Sequence, residues 1–134
     1  MPKPVTTMNL LRNPVHLGLG AKAHSEPEFN GMEWYEAYSE RHVADGNEGR
    51  LVSMYTFDEP WDSWEMHPRG HELVVCTAGR ITLIQEIGEQ HRSTTLGPGD
   101  YAINEPGVWH TADVGEPATA IFITAGLGTQ HRAR

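Results

Sequence analysis

The chain has 134 residues, of which 38% are apolar, with 14 glycines and 9 prolines; the length suits one core, and the composition suits short strands and tight turns better than a bundle of long helices. A formal charge of −8 without any clustered run of lysine and arginine speaks against a nucleic-acid partner, and no stretch approaches the roughly 20 apolar residues with which a helix crosses a bilayer. The single cysteine, Cys76, has no internal partner for a disulfide, and no basic segment leads into an apolar stretch near the N-terminus, so a cytoplasmic protein is expected.

Prolines 2, 4, 14 and 27 deny the first thirty residues a continuous helix and predict an arm lying across the domain. Within it, Gly18-Leu19-Gly20 resembles the start of a dinucleotide fingerprint, but Pro14 precedes it and no strand-helix-strand pattern surrounds it. Met32 to Val43 sets Trp34, Tyr35, Tyr38 and Val43 among Glu33, Glu36, Glu40 and Arg41, which predicts a short helix. Residues 1–45 are thus read as an arm with a short helix, and 46–134 as a β-barrel, one domain overall. From Arg50 onward come β-prone runs: Leu51 to Phe57, Ser63 to His67, Glu72 to Thr77, Arg80 to Glu86, Tyr101 to Asn104, His110 to Val114 and Thr119 to Thr124. Turn formers such as Pro68-Arg69-Gly70, Gly97-Pro98-Gly99-Asp100 and Glu105-Pro106-Gly107 separate them, and seven strands at this spacing predict an all-β sandwich or barrel.

In a strand, residues two apart share a face, so Glu65 and His67 point together while Trp64 and Met66 point away. The Pro68-Arg69-Gly70 turn brings Glu72 back opposite His67, and His110 opens another strand directly after a Pro-Gly turn. Four oxygen and nitrogen donors are therefore candidates for one site. Four residues separate His67 from Glu72 and six separate Glu72 from Gly79; Gly99, Gly107 and His110 follow at fixed spacing.

This pattern resembles the cupin superfamily, whose motifs read G-x5-H-x-H-x3–4-E-x6-G and G-x5-P-x-G-x2-H-x3-N. Here Glu65 stands at the first histidine, the proline has moved one place to Pro106, and Val114 occupies the asparagine position. The wording around Trp64-Glu65-Met66-His67 and Trp109-His110 looks like that of small single-domain cupins of the cupin 2 type. The resemblance implies a double-stranded β-helix, a jelly-roll barrel that pairs into a homodimer. It also implies a divalent transition metal held by His67, Glu72 and His110, with Glu65 as the fourth ligand; Mn, Fe, Zn or Ni fits such a site. Two carboxylates in a barrel interior conflict unless a cation or an internal ion pair, with Arg69 or His71, relieves them.

The function expected from this resemblance is that of a metal-dependent enzyme of the isomerase, decarboxylase or dioxygenase type acting on a small molecule. Glu65 and His110 are the catalytic candidates, Glu65 serving as ligand or as general base. The alternative is a non-catalytic module that senses or stores a ligand, with or without metal. By strand parity His71 belongs to the rim, Trp64 and Trp109 face away from the pocket, and Cys76 shares the face of Glu72 and Val74. Met54, Phe57, Ile81, Leu83, Tyr101, Ile103, Phe122 and Ile123 are candidates to fill or line the interior, and the segment from Gly126 to Arg134 reads as a polar tail.

Overall fold

A computed structural model describes residues 2–134. The arm carries β1 (Val15–Gly18) and β2 (Lys22–Ser25), followed by helix α1 (Met32–Arg41) and a kinked 3-10 turn over Val43–Glu48. The strands β3 (Arg50–Phe57), β4 (Ser63–Met66), β5 (Glu72–Ala78), β6 (Ile81–Ile87), β7 (Gln90–Leu96), β8 (Tyr101–Asn104), β9 (His110–Asp113), β10 (Ala118–Thr124) and β11 (Gln130–Ala133) follow. They form a six-stranded sheet in the order β2-β1-β3-β10-β5-β8 and a five-stranded sheet in the order β11-β4-β9-β6-β7, all ladders being antiparallel.

Alternation decides which residues meet between the sheets. Val74 and Cys76 on β5, Ile81 on β6, Leu96 on β7, Ala112 on β9, and Ala118, Ala120 and Phe122 on β10 make one buried cluster. Small alanines on β10 and β9 let the two sheets approach, while Phe122 fills the wider end. Four of the interior candidates lie on the outer face instead. Met54 pairs with Ile121, whereas the buried Ser53 pairs with Phe122, so Met54 and Ile123 have the opposite parity to the core. Tyr101 and Ile103 are 64% and 49% exposed, because Ala102 and the buried Asn104 take the inward positions of β8. The β5–β6 turn depends on Gly79, whose φ of 69° and close approach to Pro117 O and Ala118 Cα leave no room for a side chain.

The arm adds strands to the sheet edge. β1 pairs with β3 through Val15↔Val52, and β2 closes a hairpin through Gly20 and Ala21, both at positive φ. Helix α1 ends at Arg41, with His42 as its cap at φ −115°, two residues short of the span predicted to Val43. Trp34 anchors the helix, donating from Nε1 to Pro27 O at 2.8 Å and stacking on Tyr38. Beneath it His16, 1% exposed, is bonded on both sides: its Nε2–H donates to Asp45 Oδ2 at 2.6 Å and Tyr38 O–H donates to its Nδ1 at 2.6 Å. The His42 ring stacks on it at 3.7 Å and donates to Glu26. This second polar cluster is satisfied internally and ties the arm, the helix and the following turn into one unit.

Candidate metal centre

The register of the five-stranded sheet builds the first half of the site. Glu65 on β4 lies directly opposite His110 on β9 and His131 on β11, so three side chains stand in a row on one face. His67 follows Glu65 by two positions and lies 7% exposed on the same side. The six-stranded sheet supplies Glu72 at the start of β5, flanked across the ladders by Asn104 on β8 and Thr124 on β10. All four residues expected from the sequence therefore meet. Single ligand atoms from Glu65, His67 and His110 lie within 4.8 Å of one another, and the Glu72 oxygens lie 3.1 Å from His67 Nε2 and 3.2 Å from His110 Nε2.

Hydrogen bonding fixes what these atoms present to each other. Thr129 Oγ1 donates its proton to Gly126 O at 2.9 Å, so it accepts from His67 Nδ1–H at 2.8 Å. His110 Nδ1–H donates to Val108 O at 3.2 Å, a carbonyl that only accepts. In the neutral imidazoles both Nε2 atoms thus carry lone pairs. Both are buried, neither has a hydrogen-bond partner, and the Glu72 oxygens near them are close but out of line for one. Glu72 itself is held on both oxygens, Asn104 Nδ2 donating to Oε1 at 3.0 Å and Thr124 Oγ1 to Oε2 at 2.7 Å; Gln85 in turn donates to Asn104 Oδ1 at 2.7 Å.

Lone pairs facing carboxylate oxygens repel unless something positive sits between them. Burial alone would raise the Glu72 pKa, but hydrogen bonding and positive charge from the facing His110 and His67 rings in their protonated form outweigh it and hold the carboxyl well below the carboxylate range. Burial likewise opposes charge on His110, and the Glu72 oxygens override it, raising the His110 pKa. A divalent cation satisfies the same geometry without a proton, and the donor set of two imidazoles and two carboxylates suits a first-row ion.

Glu65, His67 and Glu72 open onto a cavity of about 770 Å³ that reaches to His16 and His42 beneath the helix. Tyr35 from α1 and Tyr55 from β3 line it and are hydrogen-bonded to each other through their hydroxyls. Burial, and for Tyr35 also the neighbouring Tyr55, keeps both phenols protonated with raised pKa values. Sequence reasoning missed these two tyrosines along with Asn104, Thr124, Thr129 and His131, whose Nε2 is 3.4 Å from Glu65 Oε1.

Other expectations fall elsewhere. His71 is exposed and lies outside this cavity. Trp64 and Trp109 face away from the site, where the Arg132 guanidinium covers them at 5.3 and 4.5 Å from the ring centroids. Val74 and Cys76 fill the core and do not line the cavity. The supposed polar tail is in large part β11, which brings His131 to the centre and pairs Arg134 with Asp113.

No protein-family model matches the chain, and no curated protein does. Among solved structures, the chain is similar to a conserved protein with a double-stranded beta-helix domain from Klebsiella pneumoniae, with a TM-score of 0.53 and 23% identity over 63% of this chain and 76% of that one. It is similar to oxalate oxidase in complex with the substrate analogue glycolate, with a TM-score of 0.51 and 16% identity over 60% of this chain and 45% of that one. A cupin-2 domain containing protein from Shewanella frigidimarina superposes with a TM-score of 0.47 and 17% identity over 56% and 69% of the two chains. Two facing antiparallel sheets, together with the likeness to these structures, give the chain a double-stranded β-helix fold.

Proposed function

We propose that the chain is a metal-dependent enzyme for a small molecule, with one divalent ion of Mn, Fe, Zn or Ni held by Glu65, His67, Glu72 and His110. The observation that carries this reading is the pair of buried Nε2 atoms, unpartnered and facing carboxylates. The ion would supply Lewis acidity or a place to activate a bound oxygen atom. Glu72, fixed by Asn104 and Thr124, and the two imidazoles, fixed by Thr129 and Val108 O, are preorganised and do not need to move. Glu65 is the most accessible of the four, 30% exposed and beside His131, so it can take a proton from a molecule in the cavity if it is not a ligand. The cavity alongside favours catalysis over storage, because a catalytic ion keeps a position open to substrate. Isomerase, decarboxylase and dioxygenase types all remain within this reading, and fold alone selects none.

Elemental analysis of protein purified without a nickel column tests it. Close to one equivalent of a single transition metal is expected, falling below about a tenth in His67→Ala. Glu65→Ala that also loses metal makes Glu65 a ligand, and Glu65→Ala that keeps the metal while activity falls makes Glu65 the base. No uptake of any of the four metals by the unmodified chain would sink the reading.

The same reading includes a cytoplasmic homodimer. β8 is a sheet edge with Tyr101 and Ile103 exposed, a surface that a second copy would cover. Light scattering is expected to give a dimer mass that Ile103→Lys halves; a monomeric unmodified chain overturns this.

A further inference from the structure

The walls of the cavity describe a ligand as closely as its floor describes a metal. One wall is aromatic: Phe57, Trp61 and Phe122 lie with ring centroids 5.5 to 6.0 Å apart, and Tyr55 adjoins Phe122 at 6.0 Å. Tyr35 closes the side toward the helix. Such a stack of faces and edges suits a flat ring inserted against it.

The charge around that wall has one sign. Glu36 and Asp62 line the exposed mouth, Glu65 and Glu72 line the floor, and among the described residues no lysine or arginine lines the cavity at all. The nearby guanidinium groups are already committed: Arg41 to Glu26, Arg132 to Glu86 and Arg134 to Asp113. Arg69 is exposed and is not among the lining residues. Carboxylates and phosphates are normally bound by guanidinium, ammonium or clustered backbone N–H groups. A divalent ion at the centre would only balance Glu65 and Glu72, leaving the field of Glu36 and Asp62 uncompensated at the entrance. Uncharged hydroxyls also line the cavity, among them Ser53, Ser63 and the Tyr35–Tyr55 pair, and the pair stands beside the aromatic wall. Two hydroxyls carry two protons and spend one on their mutual bond, so one O–H is left to donate to a ligand oxygen.

We infer that the cavity takes a small aromatic molecule without negative charge, uncharged or cationic, whose ring lies on Phe57, Trp61 and Phe122 and whose polar group meets the Tyr35–Tyr55 pair. This deepens the proposed function by naming a ligand class for the same site, yet the walls that carry it involve none of the four metal-holding residues.

The test compares benzyl alcohol, benzylamine and benzoate, three probes of like shape that differ in charge, by tryptophan fluorescence at neutral pH and low salt. It uses the full chain as purified and after chelator treatment. In the chelator-treated chain, benzyl alcohol and benzylamine are expected to bind saturably, at least about tenfold more tightly than benzoate. Glu36→Gln combined with Asp62→Asn should narrow the gap between benzylamine and benzoate severalfold, since both are exposed charges at the mouth. Tyr35→Phe combined with Tyr55→Phe should weaken benzyl alcohol severalfold, because either hydroxyl alone still has an O–H to donate; both changes keep the rings. Benzoate binding as tightly as benzyl alcohol to the chelator-treated chain, or no saturable binding of any probe, overturns the inference. Failure of metal uptake leaves this selectivity standing, and loss of selectivity in a chain that retains its metal leaves the metal reading standing, so the two fail separately.

Discussion

Replacing Glu72 by alanine is expected to remove about 3–5 kcal/mol of stability from the metal-free chain at neutral pH, as breaking a buried pair from one side does. Two donors lose their acceptor at once, and two buried imidazoles lose the carboxylate that faces them. Asn104 Nδ2 and Thr124 Oγ1 no longer have the oxygens they donate to, and the unpartnered Nε2 atoms of His67 and His110 lose the only carboxylate buried with them. Each stranded donor or acceptor costs about 1–3 kcal/mol, and Glu72 is 3% exposed, so water does not reach in to replace it. Glu72→Gln separates the contributions. Its amide still accepts from one flanking donor and can donate to an imidazole lone pair, so it should lose less than alanine while losing the charge that balances a cation. Urea unfolding of the chelator-treated proteins reads the difference. A loss under about 1 kcal/mol in Glu72→Ala would mean that the carboxylate is not the pivot of the site.

The sequence displayed the four central residues because their relation is local. Parity within β4 joins Glu65 to His67, a short turn returns Glu72, and a Pro-Gly turn sets His110 at a strand start. What supports them was hidden because it depends on register between distant strands: Asn104 and Thr124 flank Glu72 from β8 and β10, and His131 reaches Glu65 from β11. β7 and β11 escaped notice for another reason. Nearly all their residues are exposed, so neither shows the alternation by which a half-buried strand is read. Tyr35 looked like an ordinary helix residue, and only the packing of α1 over the barrel mouth brings it to Tyr55. Parity, applied strictly, would have placed Met54 and Ile123 outside, since Ser53 and Phe122 occupy the inward positions beside them.

Metal is expected to reverse the sign of the pH dependence of stability. His110 has a folded pKa raised above its ordinary 6.5, so in the metal-free chain its contribution is complete below that value and is lost as pH rises through the folded one. Glu72 has a depressed folded pKa, so its contribution is present above the ordinary carboxylate value of 4.5 and disappears only as pH falls through the folded one. Between these limits the metal-free chain is at its most stable, and it weakens toward alkaline pH. Coordination requires the Nε2 lone pair of His110, so protons compete with the ion and apparent affinity grows as pH rises. At a hundredfold excess over its dissociation constant the ion adds about 2.7 kcal/mol, and that gain appears over the same range in which the metal-free chain declines. Thermal unfolding followed across that range, with the retained metal and with chelator, should give two curves that coincide in acid and diverge above the ordinary imidazole value. A metal-free curve that rises toward alkaline pH, or a metal effect of equal size at every pH, would show that His110 is not the group for which proton and ion compete. Divergence with the expected sign would assign both to the same nitrogen, the one that burial and the His110 Nδ1–Val108 bond leave facing Glu72.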